Sequence, residues 1–218
     1  MRALVIGASG GIGRAVAEEL GSRGAEVVGL SRRDDGLDVT DEASVAAALE
    51  GIAPVDLVFV ATGALTCTRD APEKRLDDLG ADELLAQMRV NALGPALILK
   101  HWKDRIPRRG RFVFAALSAR VGSIGDNRMG GWYSYRSSKA ALNALIHGAA
   151  VEIGRSHKEA VVVCLHPGTV STRFTEGFPD HDKVAPPEAA TRLLDVLDGL
   201  GAENSGGFFD YAGKEIVW

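Results

Sequence analysis

The sequence predicts an α/β fold, a doubly wound parallel sheet with helices on both faces. Three features carry that expectation. Apolar, β-rich runs alternate along the chain with stretches of helical period. The strand runs are apolar almost throughout, as strands covered on both faces must be. The first run breaks into a glycine cluster immediately before a helix. Parallel neighbours need a crossover, and the intervening helices supply it.

The first strand, 3–6, reads Ala-Leu-Val-Ile and stops at Gly7. Helix 11–23 follows, with Ile12, Val16 and Leu20 four apart on one face. Strand 26–30 precedes helix 41–50, and strand 56–61 precedes a long helix, 82–105. Inside that helix Pro95 follows Gly94; a proline has no backbone donor and loosens the turn around it. Strand 111–117, helix 135–156, strand 160–165, helix 187–200 and a short strand near 207–211 complete the alternation. Gly7, Ser31, Ala61, Ser118 and His166 then all fall at strand carboxyl ends, where open parallel sheets bind ligands. The expectation is one cleft.

Composition sets outer limits. At 218 residues, 46% hydrophobic and 25% charged, the chain suffices for one sizeable core, and a single domain, 1–218, is expected. The net charge of −4 and scattered basic residues argue against nucleic acid as a partner. The densest basic stretch, Lys103 to Arg111, is interrupted by Asp104 and Pro107. Cys67 and Cys164 form neither a disulfide framework nor a metal motif, so a reduced, cytoplasmic setting is expected. Met1 leads almost at once into the first strand, and no apolar stretch nears the ~20 residues of a membrane span, so neither signal peptide nor membrane is expected. His101, His147, His157 and His181 lack ligand-spaced partners and suggest no metal. His166 either lines the cleft or supports the strand end.

Two motifs carry chemistry. In Gly7-Ala8-Ser9-Gly10-Gly11-Ile12-Gly13 the glycines let backbone approach a phosphate at a helix N-terminus, although Gly7-x3-Gly11-x-Gly13 is not the commonest dinucleotide spacing. The second is Tyr135-Arg-Ser-Ser-Lys139, whose ends share one helix face. An ammonium beside a phenol favours phenolate and brings Tyr135 toward the range of a general acid–base.

Together these motifs resemble the short-chain dehydrogenase/reductase family, and the likeness extends along most of the chain. Asp38-Val39 looks like its adenine-contacting segment, and Ala61-Thr62-Gly63 stands where Asn-Ala-Gly is usual. Asn91 and Ser118 match the helix asparagine and strand-end serine of the catalytic tetrad. Pro167-Gly168-Thr169-Val170-Ser171-Thr172 is similar to the loop bordering the nicotinamide. The resemblance implies a Rossmann-type fold, catalytic Asn91, Ser118, Tyr135 and Lys139, and an NAD(P) cofactor. Gly7, Ser9, Gly10, Gly11, Ile12, Gly13, Ser31, Arg32, Asp38, Val39, Ala61, Thr62, Gly63, Pro167, Gly168, Val170 and Thr172 would hold it, with Tyr135 and Lys139. Tyr135 would donate a proton to a carbonyl oxygen held by Ser118, Lys139 would also bond the nicotinamide ribose, and Asn91 would hold a water. The serine departs from the pattern: the slot three before Gly122 is Ala119, and Ser118 lies one earlier.

Cofactor choice follows from charge. Ser31-Arg32-Arg33 ends the second strand where an acidic residue would favour a ribose 2′-hydroxyl; arginine favours a 2′-phosphate, hence NADP over NAD. Asp34 and Asp35 follow and complicate the charge. Trp132 and Tyr133 either border the substrate pocket or pack under the loop, and Phe174 and Phe178 stand where the resemblance implies a substrate lid. The substrate class is a small carbonyl or alcohol, and the family implies a homodimer or homotetramer. Gly122-Ser123-Ile124 and Gly130-Gly131-Trp132-Tyr133-Ser134-Tyr135 also look like a short subgroup that includes cell–cell signalling factors of the C-factor type. A dinucleotide-binding signalling or sensor protein with incidental turnover is therefore the alternative. An extended-type epimerase fits the glycines too, but only about 45 residues follow the Pro167 loop, too few for its substrate region.

Overall fold

The computed structural model describes residues 1–177 and 182–218; Phe178 and His181 lie outside the described residues. Six strands form one sheet: β1 (Arg2–Ile6), β2 (Glu26–Leu30), β3 (Leu57–Val60), β4 (Phe112–Leu117), β5 (Ala160–His166) and β6 (Phe208–Asp210). Their order is β2-β1-β3-β4-β5-β6, and every neighbouring pair is parallel. All carboxyl ends therefore lie on one edge. Gly7, Ser31, Ala61 and Ser118 each stand just past one, and His166 closes β5.

The alternation of side chains within β4 shows why its residues are apolar throughout. Phe112, Phe114 and Ala116 join one core with Trp102, Leu142 and Ile146; Val113, Ala115 and Leu117 join the other with Val16, Leu193 and Leu197. Burying each large aliphatic side chain stabilises the fold by about 1.5–3 kcal/mol. Helices α1 (Gly11–Ser22) and α7 (Pro186–Gly199) cover the second face. The first is covered by α3 (Glu42–Leu49), α5 (Gly94–Trp102) and α6 (Tyr133–Gly154), and the chain also forms a short α2 (Arg32–Asp35) and α4 (Ala81–Met88). Among the described residues, no helix is long and apolar enough to cross a membrane.

The expected continuous helix over 82–105 is corrected. It is α4, a π-turn over Arg89–Leu93, then α5 and a 3-10 turn over Lys103–Arg105. Pro95 lacks the N–H that an α-helix would aim at the carbonyl of Asn91, and the ladder widens there. The expected start of the Tyr135 helix also moves, from 135 to Tyr133.

Candidate active site

Gly7 follows β1 with φ +86, a left-handed conformation, and its N–H donates to the Leu30 carbonyl at 2.7 Å. The Gly10 N–H turns back onto the Gly7 carbonyl at 2.9 Å, and α1 begins at once. A Cβ on Gly13 would meet the Gly7 carbonyl oxygen at 2.2 Å, so only glycine lets the helix start this close to the strand. No side chain caps α1, and its first turn holds no acidic residue, so its positive end is open to an anion. Gly11 faces Thr172, whose methyl carbon would lie 2.5 Å from a Cβ. This cradle fits a dinucleotide diphosphate.

At the end of β2 the buried Ser31 caps α2, its hydroxyl accepting from the Asp34 N–H at 3.1 Å. Both complicating acids are engaged. Asp34 pairs with Arg33 at 2.8 Å, which holds its carboxyl below the usual range, and Asp35 accepts from the Ser31 N–H at 2.7 Å. The exposed Arg32 makes no ion pair among the described residues. Asp38 bonds the Thr40 hydroxyl (2.7 Å) and N–H (2.9 Å), which lower its carboxyl together with the charge of Arg32. Val39 packs on Gly94, where a Cβ would lie 2.8 Å from its methyl.

Helix α6 places Tyr135 and Lys139 one turn apart, both buried. The Lys139 Nζ lies 5.9 Å from the Tyr135 ring centroid and donates to the Leu117 carbonyl at 2.8 Å. Trp132 (6.2 Å, edge-on) and Phe174 (5.8 Å, tilted) flank the Tyr135 ring. The expected direction of the phenol's pKa is not what burial produces: burial pushes Tyr135 up and Lys139 down to about 8. Removing water disfavours whichever form is charged, so the phenol keeps its proton and the ammonium holds its own less firmly. Gly63 borders both Lys139 and Asn91, a Cβ there lying 3.4 Å from Nζ and 3.3 Å from the Asn91 Oδ1. Thr62, beside it, has a buried hydroxyl with no partner among the described residues.

Asn91 sits in the π-turn, fully buried. Its Oδ1 accepts from the Ala64 N–H (2.8 Å), and its Nδ2 donates toward the Ala64 carbonyl (2.8 Å), Gln87 Oε1 (3.1 Å) and Ser138 Oγ (3.0 Å). Gln87 in turn donates to Glu83 at 2.7 Å, and Glu83 holds the Cys67 and Thr68 N–H groups. This ladder ties the loop after β3 to α6. Glu83, Gln87 and Ser138 were missed as site residues, yet Glu83, Gln87 and Asn91 stand four apart, a spacing visible in the sequence.

Ser118 follows the even-numbered face of β4 toward α6, where its hydroxyl donates to Asn143 Oδ1 at 2.7 Å. A hydroxyl has one proton to give, and here Asn143 receives it. Ser123 accepts from the Asp126 N–H, and Ala119 carries no hydroxyl. Beyond β5, Gly168 has φ +76 and packs on Tyr211, Val170 bridges to Val184, and Thr172 reaches Gly11. Pro167, Gly168 and Thr169 also border a cavity of about 350 Å³ shared with Arg120, His166 and Tyr211. Burial and Arg120 lower the His166 imidazole to about 4, which keeps it neutral at pH 7. Among the described residues, no group of acids, histidines and cysteines is built to hold a metal.

One loop thus runs from the glycine cradle to the Tyr135 phenol: Thr172 touches Gly11, and Phe174 two residues on touches Tyr135. The chain is similar to known proteins. Over 99% of its length the chain is 32% identical to 98% of the 1-hydroxy-2-glutathionyl-2-methyl-3-butene dehydrogenase of Rhodococcus sp. strain AD45. It is 36% identical to the C-signal of Myxococcus xanthus over 66% of this chain and 83% of that one. A short-chain dehydrogenase/reductase of Burkholderia multivorans with bound NADP superposes with a TM-score of 0.81, at 26% identity, covering 100% of this chain and 99% of its own. An NADPH-bound carbonyl reductase from chicken fatty liver shares the fold with a TM-score of 0.84, at 24% identity, over 100% and 94% of the two chains. The family model described as short chain dehydrogenase matches residues 1–183, and the chain belongs to the short-chain dehydrogenase/reductase family.

Proposed function

We propose that this protein is an NADP-dependent oxidoreductase that interconverts a small carbonyl compound and its alcohol. The observation that carries the reading is the buried Tyr135–Lys139 pair, joined by a single loop to an uncapped glycine cradle. The diphosphate would lie on Gly7, Ser9, Gly10, Gly11, Ile12 and Gly13, with Ser31, Arg32, Asp38 and Val39 toward the adenosine. Ala61, Thr62, Gly63, Pro167, Gly168, Val170 and Thr172 would flank the nicotinamide. Arg32, with Asp34 already neutralised by Arg33, supports NADP over NAD. When bound, the nicotinamide supplies or takes up the hydride.

The chain's own groups manage the proton. Burial keeps Tyr135 a phenol at neutral pH, the form a carbonyl reduction needs at its outset. As the proton passes to the substrate oxygen, charge develops on the phenol, and the nearby Lys139 ammonium stabilises it. Lys139 keeps that charge below about pH 8. Ser118 would steady the substrate oxygen by turning its hydroxyl from Asn143. Asn91 has one Oδ1 lone pair left for a water, its other groups being taken by protein. Trp132 and Phe174 make the approach to Tyr135 apolar, which supports a small, uncharged carbonyl.

The decisive assay follows NADPH oxidation against a panel of aldehydes, ketones and quinones. Tyr135→Phe should abolish most turnover while NADPH binds nearly as before; wild-type kcat in that variant rules out the acid–base role. A second reading, a dinucleotide-binding signalling protein, is favoured by the likeness to C-signal. NADPH binding with no turnover on any carbonyl would support it. A homodimer or homotetramer in the cytoplasm belongs to the proposal; exposed Leu85, Leu145 and Val151 on α4 and α6 support the assembly, and sedimentation checks it.

A further inference from the structure

Helix α6 carries the reactive pair but does not cap itself. Its N-cap residue, Trp132, has φ +52, a left-handed conformation that is costly for a side chain of this size, and offers no side-chain cap. The cap comes from a segment some sixty residues earlier. Glu73 is fully buried; its carboxylate accepts the Ser134 N–H at 3.4 Å and the Ser134 hydroxyl in a short bond. Its backbone carbonyl accepts the Trp132 N–H. Arg69 stands 3.9 Å from the carboxylate, at the edge of ion-pair range, so the remaining stabilisation comes from the Ser134 N–H and hydroxyl and the positive helix end. Gly131, also left-handed, lies against the Glu73 and Lys74 backbone, where a Cβ would lie 3.4 Å from the Glu73 carbonyl oxygen.

These contacts bracket the phenol. Ser134 immediately precedes Tyr135, and the Trp132 ring packs edge-on against it. We propose that Glu73 is a positioning residue for the reaction: by clamping Trp132 and Ser134 it sets where α6 begins and thereby where the Tyr135 hydroxyl points. This rests on Tyr135 being the acid–base group. A side chain chosen only for packing at this depth would be apolar, because an isolated buried carboxylate is strongly unfavourable. The Glu73 carboxylate is held by both donors of Ser134, the residue immediately before Tyr135.

Misplacing a reacting group by about 1 Å costs up to about 100-fold in rate. Glu73→Leu should therefore lower kcat by roughly 10–100-fold and leave the NADPH Kd within about threefold, because the glycine cradle is on another element. Glu73→Gln, which keeps an oxygen acceptor, should recover most of that loss. Ser134→Ala removes the hydroxyl bond from the other side at little risk to folding, and its effect should be less than additive with Glu73→Gln. Measurements are kcat, NADPH Kd by fluorescence and the thermal midpoint of each variant, beside Tyr135→Phe. Wild-type kcat in Glu73→Leu overturns the proposal. So does a parallel loss of kcat, Kd and midpoint in Leu and Gln variants alike, and so do strictly additive effects with Ser134→Ala. If Tyr135→Phe itself keeps full turnover, the acid–base reading fails first, and that outcome is distinct from an inactive Tyr135→Phe beside a normal Glu73→Leu.

Discussion

Replacing Gly13 by alanine tests the closest approach that an added Cβ would make at any glycine. The added methyl would lie 2.2 Å from the Gly7 carbonyl oxygen and 2.8 Å from its carbon, with the Ala61 Cβ 3.2 Å away on another side. Non-bonded carbon contacts relax near ~3.5 Å, so the start of α1 must withdraw by about 1 Å. Such overpacking costs about 1–3 kcal/mol, and the gain of up to about 1 kcal/mol from alanine's helix propensity offsets part of it. The net loss of about 1–2 kcal/mol should lower the melting midpoint by roughly 2–8 °C in a chain of this size. NADPH should suffer more, because the N–H groups of the first turn retreat from the diphosphate. Each charge-assisted bond is worth about 1.5–3 kcal/mol, so losing one weakens binding by roughly 10–100-fold. Gly148→Ala is the internal control: that glycine is exposed in α6 with nothing within 4 Å of its added carbon, and the change should stabilise by up to about 1 kcal/mol. Thermal melts and NADPH fluorescence titrations on both variants decide the matter. A Gly13→Ala protein with wild-type midpoint and wild-type NADPH affinity refutes the argument from close approach.

Further outcomes are expected at the pair and at the adenosine end. Arg32→Ala should weaken NADPH by roughly tenfold to a hundredfold and barely change NADH, with the wild-type preference fading as salt rises; equal losses for both cofactors sink the 2′-phosphate contact. Ser118→Ala should lower kcat by about 10²–10³, whereas a fall in melting midpoint at unchanged kcat would confine the hydroxyl to Asn143. For Lys139, burial lowers the pKa from 10.5 to about 8, so the unfolded chain binds the proton more tightly across that window. Stability is therefore reduced below pH 8 and recovers as pH rises toward 10.5, by about 1 kcal/mol between pH 7 and 9. Urea unfolding at both pH values should show this gain in the wild type and not in Lys139→Met, while turnover falls over the same range; a wild type no more stable at pH 9 contradicts it.

What the sequence determined by itself is what short-range chemistry encodes. Strand and helix periods, the glycine cradle and the Tyr135–Lys139 spacing each lie within about a dozen residues, where backbone geometry leaves few alternatives. Near Asn91 the sequence showed a loosened turn, because a missing proline N–H acts one turn away, but not the division of 82–105 into two helices around a π-turn. The order of the strands then brought the strand ends to one edge with little freedom left. Tertiary structure decided the partners of the site's polar groups. Lys139 reaches Leu117, Ser118 gives its proton to Asn143, Asn91 locks Ala64 to Ser138, and Glu73 caps a helix sixty residues on. The direction of the Tyr135 shift was likewise a matter of packing, since Trp132, Phe174 and the sheet exclude the water that an isolated Tyr-x3-Lys helix would keep. A hydrogen bond between distant segments depends on where crossovers set two backbones to within about 3 Å, and no local pattern carries that distance.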